Sequence, residues 1–443
     1  MEGFEKKSHN HKSDLIGVGD LANTASNSSF RNKGAKGSSV QESEFNQALD
    51  RATSTKPLSL GDEHNHEKPA NAGNFSSHVS LSGFASAKGL DAKKLKGEFS
   101  LSENVGRKGD FLDPGAGRNT VIGSGDDDVI MGTGGGFNTI TTGTGKDTLV
   151  LGAETTNRVF DFNPAEDRFL LAKNLDPKNI VIAQGKNPGK GGIDQPLDSE
   201  NNTLIIDKAT EHVLASLTFV KSADVSDRHF AKLENSAIKS LDFIRFNTKQ
   251  GNGQLTGTQN HDKLVGGGGD DFLYVGDDGF SFGTVKGTGP GEFPFPNNSP
   301  GQTELNLSLK SGVLTINGSY KDFQGLPLFS DGVQAVAPDA VIPNGADPQG
   351  LIDNFLKVPQ DSEGNPISGF HLHFSRENFA DATVERYLTV NRIDDTSGTV
   401  SAQFELNSEE QAALLARNIY ANLHSTIHPV GENRVELSSV NFA

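Results

Sequence analysis

The feature that most restricts the fold of this chain is a spacing. Residues 119–152 read NTVIGSGDDDVIMGTGGGFNTITTGTGKDTLVLG, and residues 255–276 read LTGTQNHDKLVGGGGDDFLYVG. In the second stretch Leu255, Leu264 and Leu273 stand nine residues apart. In the first, Val121, Val129, Ile140 and Leu149 each follow a turn rich in Gly, Asp and Asn. Such recurrence in register argues against a plain glycine linker. It fits a parallel β-roll, in which a short x-apolar-x strand drops one side chain inward and glycine loops carry the chain to the opposite sheet.

The loops have a chemistry of their own. Glycine takes φ > 0 in a tight turn and leaves carbonyl oxygens exposed, and each Asp adds a carboxylate. Ca²⁺ takes about six to eight hard oxygen ligands, which carbonyls and carboxylates of stacked loops supply. The expected ligand set is Gly123, Gly125, Asp127, Gly132, Asn138, Gly143, Gly145 and Asp147 in the first block, with Asp262, Gly267, Gly269 and Asp271 in the second. Asn138 takes the place of Asp in the middle repeat, where GTGGGFN also carries an extra residue. Successive loops alternate sides, so Asp127 and Asp147 are expected on one edge. Asp262 and Asp271 fall on opposite edges and share no ion unless the two blocks stack. Without the cation these carboxylates repel, so folding and calcium binding are expected to be one event.

GSGDDDVIMG, GTGKDTLVLG and GGGGDDFLYVG resemble RTX (hemolysin-type) calcium repeats, and VFDFNPAEDRFLL with NTLII and HVLASL resembles the β-rich unit that flanks them. The resemblance covers about residues 111–276. It implies a secreted protein that leaves the cell unfolded by a type I pathway and folds outside, where calcium is abundant. The chain departs from the family in having few repeats and Asn138 in one of them.

Composition agrees with that address. Cys is absent, so the sequence predicts neither disulfides nor a thiol nucleophile. The start, MEGFEKKSHNHKSDLIG, has no apolar core of a cleaved leader, and no run of 18 apolar residues predicts a membrane span. The net charge is −17, and residues 1–110 are nearly balanced with 15 basic and 14 acidic side chains. The acidity therefore lies in the rest of the chain, which argues against nucleic acid as a partner.

The expected organisation is a disordered Ser/Asn/Lys-rich tail over 1–110, repeat block one over 111–152 and a β-rich flanking unit over 153–250. Block two follows over 251–278, then a Pro/Gly linker over 279–302 and a β domain over 303–443. The tail holds His9/His11 and His64/His66, read as solvated side chains. Within the flanking unit, Leu204 and Ile206 and then Val213 to Val220 predict a hairpin. In the last domain Leu305, Leu307 and Leu309, a Ser311-Gly312 turn, then Leu314 and Ile316 alternate strictly, as do Val400, Ala402, Phe404 and Leu406. Such alternation marks half-buried strands of an antiparallel β-sandwich or barrel. Ser408 to Gln411 reads as a capping box opening a helix over QAALLA. The fold class is thus mainly β, with calcium-bound parallel roll segments and an antiparallel C-terminal unit.

Gly-Phe-His-Leu-His-Phe at 369–374 puts Phe370, Leu372 and Phe374 on one strand face and His371 and His373 on the other; Tyr420, Asn422 and His424 share a polar face likewise. If these strands are neighbours, His371, His373, His424 and His428 converge, either as a Zn²⁺ or Cu²⁺ site or as rings that hydrogen-bond backbone and carboxylates. HLHF, LLARNIYANLHSTIHP and GENRVEL are similar to the CHRD domain, through Tyr420, Asn422, His424, Pro429, Gly431, Glu432 and Arg434; Ser425 replaces a Thr and Val435 a Gly. That resemblance spans roughly 303–438 with an insertion near 325–365, and implies a β fold with a binding role. GFHLH is also similar to the copper strand of Cu/Zn superoxide dismutase, although no bridging His is found.

Three functions follow. The leading one is a secreted, calcium-binding, non-enzymatic surface or matrix protein whose C-terminal domain binds an extracellular protein or polysaccharide. The second is a dismutase-like metalloenzyme with copper or zinc at the histidines. The third is a self-associating filament or scaffold subunit. No phosphate loop or His-Glu-x-x-His helix appears in the sequence.

Overall fold

The computed structural model describes residues 76–84, 87–95, 101, 109–188, 193, 195–241, 244–258, 260–275, 279–293, 295–328, 336–342, 369–375 and 383–437. Most of the expected N-terminal tail, with His9/His11 and His64/His66, lies outside the described residues, as does much of the insertion near 325–365.

The repeats form a parallel roll between two sheets. One sheet runs Phe230–Lys232, Arg168–Leu171, Thr148–Leu151, Val129–Gly132, Phe111–Asp113, Asp262–Val265 and Asn247–Gln250. The facing sheet runs Lys88–Gly89, Ile180–Gln184, Thr203–Asp207, His212–Leu217, Thr155–Val159, Gly136–Thr141, Gly117–Ile122, Phe272–Tyr274 and Gln254–Thr256. The chain crosses from one to the other at every half turn.

The two repeat blocks are one structure. Lys263 pairs in parallel with Phe111, and Phe272 with Thr120, so block two stacks directly beneath the first strands of block one. The flanking unit is not separate either. Its strands Thr155–Val159 and Arg168–Leu171 add the next turn in parallel register, and the expected hairpin, Thr203–Asp207 against His212–Leu217, extends that sheet towards Ile180–Gln184 and Lys88–Gly89. Part of the expected tail joins as well: Lys88 pairs with Ile182, and Leu101 is fully buried.

Each half turn sends one side chain inward, because a strand with period two and only three inner positions can point only its middle residue at the core. Leu112, Val121, Ile130, Ile140, Leu149, Val159, Leu264 and Leu273 fill the roll at 2% exposure or less. Ile130 takes the inward position expected of Val129. Val129 faces outward with Phe111, Met131, Val150 and Leu170, under a cover that includes Leu101 and the helix Asn235–Ser240.

The C-terminal unit is antiparallel and takes the form of a single nine-stranded sheet curled almost shut. Its order is Thr383–Tyr387, Phe370–Phe374, Ile419–Leu423, Asn433–Glu436, Gly279–Thr288, Gln302–Lys310, Val313–Lys321, Gly398–Glu405 and Thr389–Arg392. The two edge strands are consecutive in the chain, with Leu388 alone between them. Residues 279–302, expected as a linker, instead begin with a full strand of this sheet. The Ser311-Gly312 turn stands as expected, with φ of 49° and 76°, the pair of positive values a two-residue hairpin of right-handed twist requires.

The helix Ser408–Leu415 starts one residue earlier than expected. Asn407, not Ser408, is the cap: Asn407 Oδ1 accepts from the Glu410 N–H at 2.8 Å, and Glu410 Oε2 accepts from the Asn407 N–H at 2.8 Å. This helix lies on the roll strands Gly117–Ile122 and Gly136–Thr141. Thr141 Oγ1 donates to Ala412 O at 2.7 Å, and Asn418 Nδ2 to Phe160 O at 2.7 Å. Phe160 and Phe219 meet Phe374 with ring centres 6.0 and 5.1 Å apart, so roll and curled sheet share one apolar core.

Because block two completes the roll, damage there is expected to be felt throughout it. Leu264→Ala removes a fully buried side chain packed in the same core as Leu112 and Ile130. It should lower stability by about 2–5 kcal/mol in saturating calcium, measured by denaturant unfolding. An unchanged unfolding midpoint for residues 109–171 would mean that the blocks fold independently.

Candidate calcium edge and histidine cluster

The two edges of the roll carry different side chains. On one edge Asp262, Asp110, Asp128, Asp147 and Asp167 form a file, one per turn. Each donates its backbone N–H to a carboxylate oxygen of the next: Asp262 to Asp110 at 2.6 Å, Asp110 to Asp128 at 2.7 Å, Asp128 to Asp147 at 2.9 Å, and Asp147 to Asp167 at 3.0 Å. Three of them also clamp their own loop from four residues on, accepting from the N–H of Thr258 (2.6 Å), Ser124 (2.7 Å) and Asn163 (2.7 Å). All five are at most 5% exposed.

On the other edge the file is Asp271, Asn119, Asn138 and Asn157. The Asp271 N–H donates to Asn119 Oδ1 at 2.9 Å, Asn119 Nδ2 to Asn138 Oδ1 at 3.0 Å, and Asn138 Nδ2 to Asn157 Oδ1 at 2.9 Å. Asn157 Nδ2 ends the file on Leu214 O at 3.0 Å. A carboxamide both donates and accepts, so such a ladder satisfies itself without charge. An ionised carboxylate only accepts. Once ionised, the aspartate file therefore needs a cation to offset its charge, and the three asparagines do not.

Electrostatics make the need visible. Burial first, and the Asp128 charge next, push Asp110 up to about 8. Burial pushes Asp128 and Asp167 up to about 7. Asp147 is raised well above the carboxylate range by burial, then by the charges of Asp128 and Asp167. Unit charges one strand spacing apart repel by about 3 kcal/mol at an effective dielectric constant near 20. Asp147 Oδ2 is buried with no hydrogen-bond partner, an orphan lone pair where a hard cation fits. The loop before it is shaped by Gly143 and Gly145, with φ of +98° and +128°; a Cβ on Gly143 would stand 1.8 Å from Ser124 O. Asp161 pins that loop by accepting from the Thr142 and Gly143 N–H groups at 2.8 and 2.9 Å.

The expected ligands map onto this frame with shifts. Asp147 and Asp262 lie in the aspartate file, and stacking of the blocks brings them onto the same edge. Asp127 lies one residue outside it: Asp128 shares the register of Asp147, while Asp127 accepts from the Lys146 N–H at 2.8 Å. Gly123 and Gly125 belong to the loop before Asp128, and Gly267 and Gly269 to the loop before Asp271. Asn138 belongs to the neutral ladder with both ends of its amide engaged. Gly132 lies beneath that ladder, where a Cβ would meet Asn157 Oδ1 at 2.5 Å. Asp271 accepts from the Gly253 and Gly267 N–H groups at 2.6 and 2.9 Å. Asp110, Asp128, Asp167, Asn119 and Asn157 were missed, although each precedes an inward apolar residue by two positions.

In the curled sheet, His371, His373 and His424 meet, with one ring nitrogen of each within 4.8 Å of the others. His371 opposes Asn422 and His373 opposes Tyr420 across the strand pair. His424 Nδ1 lies 2.9 Å from Pro429 O, and burial pushes its pKa down to about 4. His428 does not join; its Nε2 lies 2.6 Å from Gln324 Oε1. Nearby, buried Glu292 accepts from Asn422 Nδ2 at 3.2 Å, and burial pushes it up to about 8 despite Arg434.

The family model of the RTX calcium-binding nonapeptide repeat matches residues 108–136, 133–154 and 248–279, in four copies. No curated protein matches the chain, and no solved structure does. The chain thus carries RTX repeats, which bind Ca²⁺ and are typical of secreted proteins. Among the described residues no helix is long and apolar enough to cross a membrane.

Two outcomes are expected. Asp128→Asn should weaken calcium binding at least about tenfold by titration calorimetry, and Asp127→Asn by less than about twofold; equal effects would restore the Asp127 register. Asp110, Asp128 and Asp167 hold their protons more tightly folded, at about 7 to 8, than at the unfolded value of 3.8. Calcium-free stability is therefore fullest in acid and lost as pH rises through 7 to 8. Melting without calcium should fall between pH 5 and pH 8, and millimolar calcium should abolish that fall.

Proposed function

We propose that the protein is a secreted, non-enzymatic component of the cell surface or matrix that calcium folds after export, and that its C-terminal β unit binds an extracellular protein or polysaccharide. The buried aspartate file is the observation that carries this reading. In calcium-poor cytoplasm the file is a stack of like charges and the roll does not close, leaving the chain extended enough for a type I channel. Outside, calcium neutralises the file, and block two is drawn under block one. The completed roll then offers strands Gly117–Ile122 and Gly136–Thr141 to the helix Ser408–Leu415, so assembly of the C-terminal unit follows from calcium.

The similarity of the C-terminal residues to the CHRD domain supports the binding role, since chordin, where that domain was defined, binds growth factors. A His-ligated copper or zinc enzyme is the second reading, favoured by the meeting of His371, His373 and His424.

Calcium titration of the chelated protein, followed by far-ultraviolet circular dichroism, should show β structure gained with a midpoint of about 10⁻⁴ to 10⁻³ M, the range of extracellular modules. Native-like β content and unchanged melting in excess EGTA would remove the proposal. Capture from the native envelope with and without chelator then tests the partner: recovery should require calcium.

A further inference from the structure

The calcium reading leaves unused a buried polar cluster inside the curled sheet. His371 and His373, two residues apart on the strand Phe370–Phe374, lie on one face by the period of the strand. The neighbouring strand Ile419–Leu423 places Tyr420 and Asn422 on that face, and His424 continues it two residues beyond Asn422. The rings are close: 4.5 Å between the centres of His371 and His373, and 4.8 Å between those of His371 and His424. The three residues are at most 9% exposed.

The orientation of His424 is fixed. A carbonyl oxygen only accepts, so the 2.9 Å contact between Nδ1 and Pro429 O puts the ring proton on Nδ1. Nε2 then carries a lone pair, and it is buried without a hydrogen-bond partner. Metal-ligating imidazoles are commonly held this way, one nitrogen donating to a carbonyl while the other faces the ion. A buried acceptor left without a partner is destabilising, and a cation at that point removes the penalty.

We propose that His371, His373 and His424 form a binding site for a divalent transition-metal ion, Zn²⁺ or Cu²⁺, separate from the calcium edge. Imidazole nitrogen suits these ions, whereas Ca²⁺ takes oxygen, so donor type alone sorts the two kinds of metal between the two halves of the protein. Nitrogens bound to one tetrahedral zinc lie about 3.4 Å apart, given metal–nitrogen distances of about 2.0–2.1 Å. The three nitrogens here lie within 4.8 Å of one another, so the widest separation has to shrink by about 1.4 Å for all three to bind one ion. Three imidazoles leave a fourth position for water or an exogenous ligand, the arrangement of reactive rather than purely structural zinc. The site does not depend on the proposed surface role and stands or falls separately from it.

The test uses the full chain, stripped of transition metal and saturated with Ca²⁺, with Co²⁺ as a visible probe and Zn²⁺ as competitor. Wild type should take up one equivalent with the strong visible bands of four-coordinate cobalt, displaced by zinc. His371→Ala/His373→Ala should lose at least about a hundredfold in affinity, and His428→Ala, which lies outside the cluster, should bind as wild type. No stoichiometric uptake by wild type overturns the proposal. So does wild-type affinity in the double variant, which would place the ion elsewhere, for example on the N-terminal His-x-His pairs. Should the double variant fail to fold, X-ray absorption of zinc-loaded wild type decides: three imidazoles per zinc support the site, and fewer overturn it.

Discussion

A file of buried carboxylates repels itself once ionised unless protons or a cation offset the charge, and much of the roll is arranged around that constraint. Asp262, Asp110, Asp128, Asp147 and Asp167 repeat at one strand spacing, with no carboxamide to break the run of like charge. Their backbone N–H groups already bond to the next carboxylate in line, which fixes the oxygens but neutralises none of them. The opposite edge solves the same packing problem with Asn119, Asn138 and Asn157, whose amides pair with one another. The run of like charge thus belongs to one edge of the roll.

Stacking gives that edge its length. Block two alone would offer Asp262 on one side and Asp271 on the other; pairing of Lys263 with Phe111 and Phe272 with Thr120 places each at the end of a longer file. Chain closure over the intervening segment has an entropic cost, offset by joining the interior of Leu264 and Leu273 to that of Leu112 and Val121. The outer face of the roll then receives the helix Ser408–Leu415, with Thr141 and Asn418 bonding across the junction. Roll closure and docking of the curled sheet are thus joined in one structure through Thr141 and Asn418.

Much of this was legible residue by residue. The nine-residue period of Leu255, Leu264 and Leu273 marks a roll, and the alternation of Leu305 to Ile316 marks a hairpin that the structure contains. The errors are errors of register. Three consecutive aspartates, Asp126 to Asp128, made the register ambiguous, and counting back two positions from the inward residue selects Asp128 only once Ile130 rather than Val129 is known to face inward. The same rule applied to Leu112 and Phe169 would have found Asp110 and Asp167. Residues 279–302 read as a linker because glycines run through the segment and all its prolines follow Thr288, which hid the strand before them.

The sequence by itself determined the local repertoire: glycine loops that turn, single apolar residues that point inward, acceptor-rich loops suited to a hard cation, and strands that place His371 and His373 on one face. Those properties depend on backbone preference and on period, which neighbouring residues set. Only the tertiary structure decided which turns touch. Parallel register between segments 152 residues apart, the choice of Asp128 over Asp127, and the gathering of His424 but not His428 beside His371 all rest on hydrogen bonds between distant strands. No local pattern specifies such bonds, because each strand carries equivalent donors and acceptors along its whole length and the partner is selected by packing.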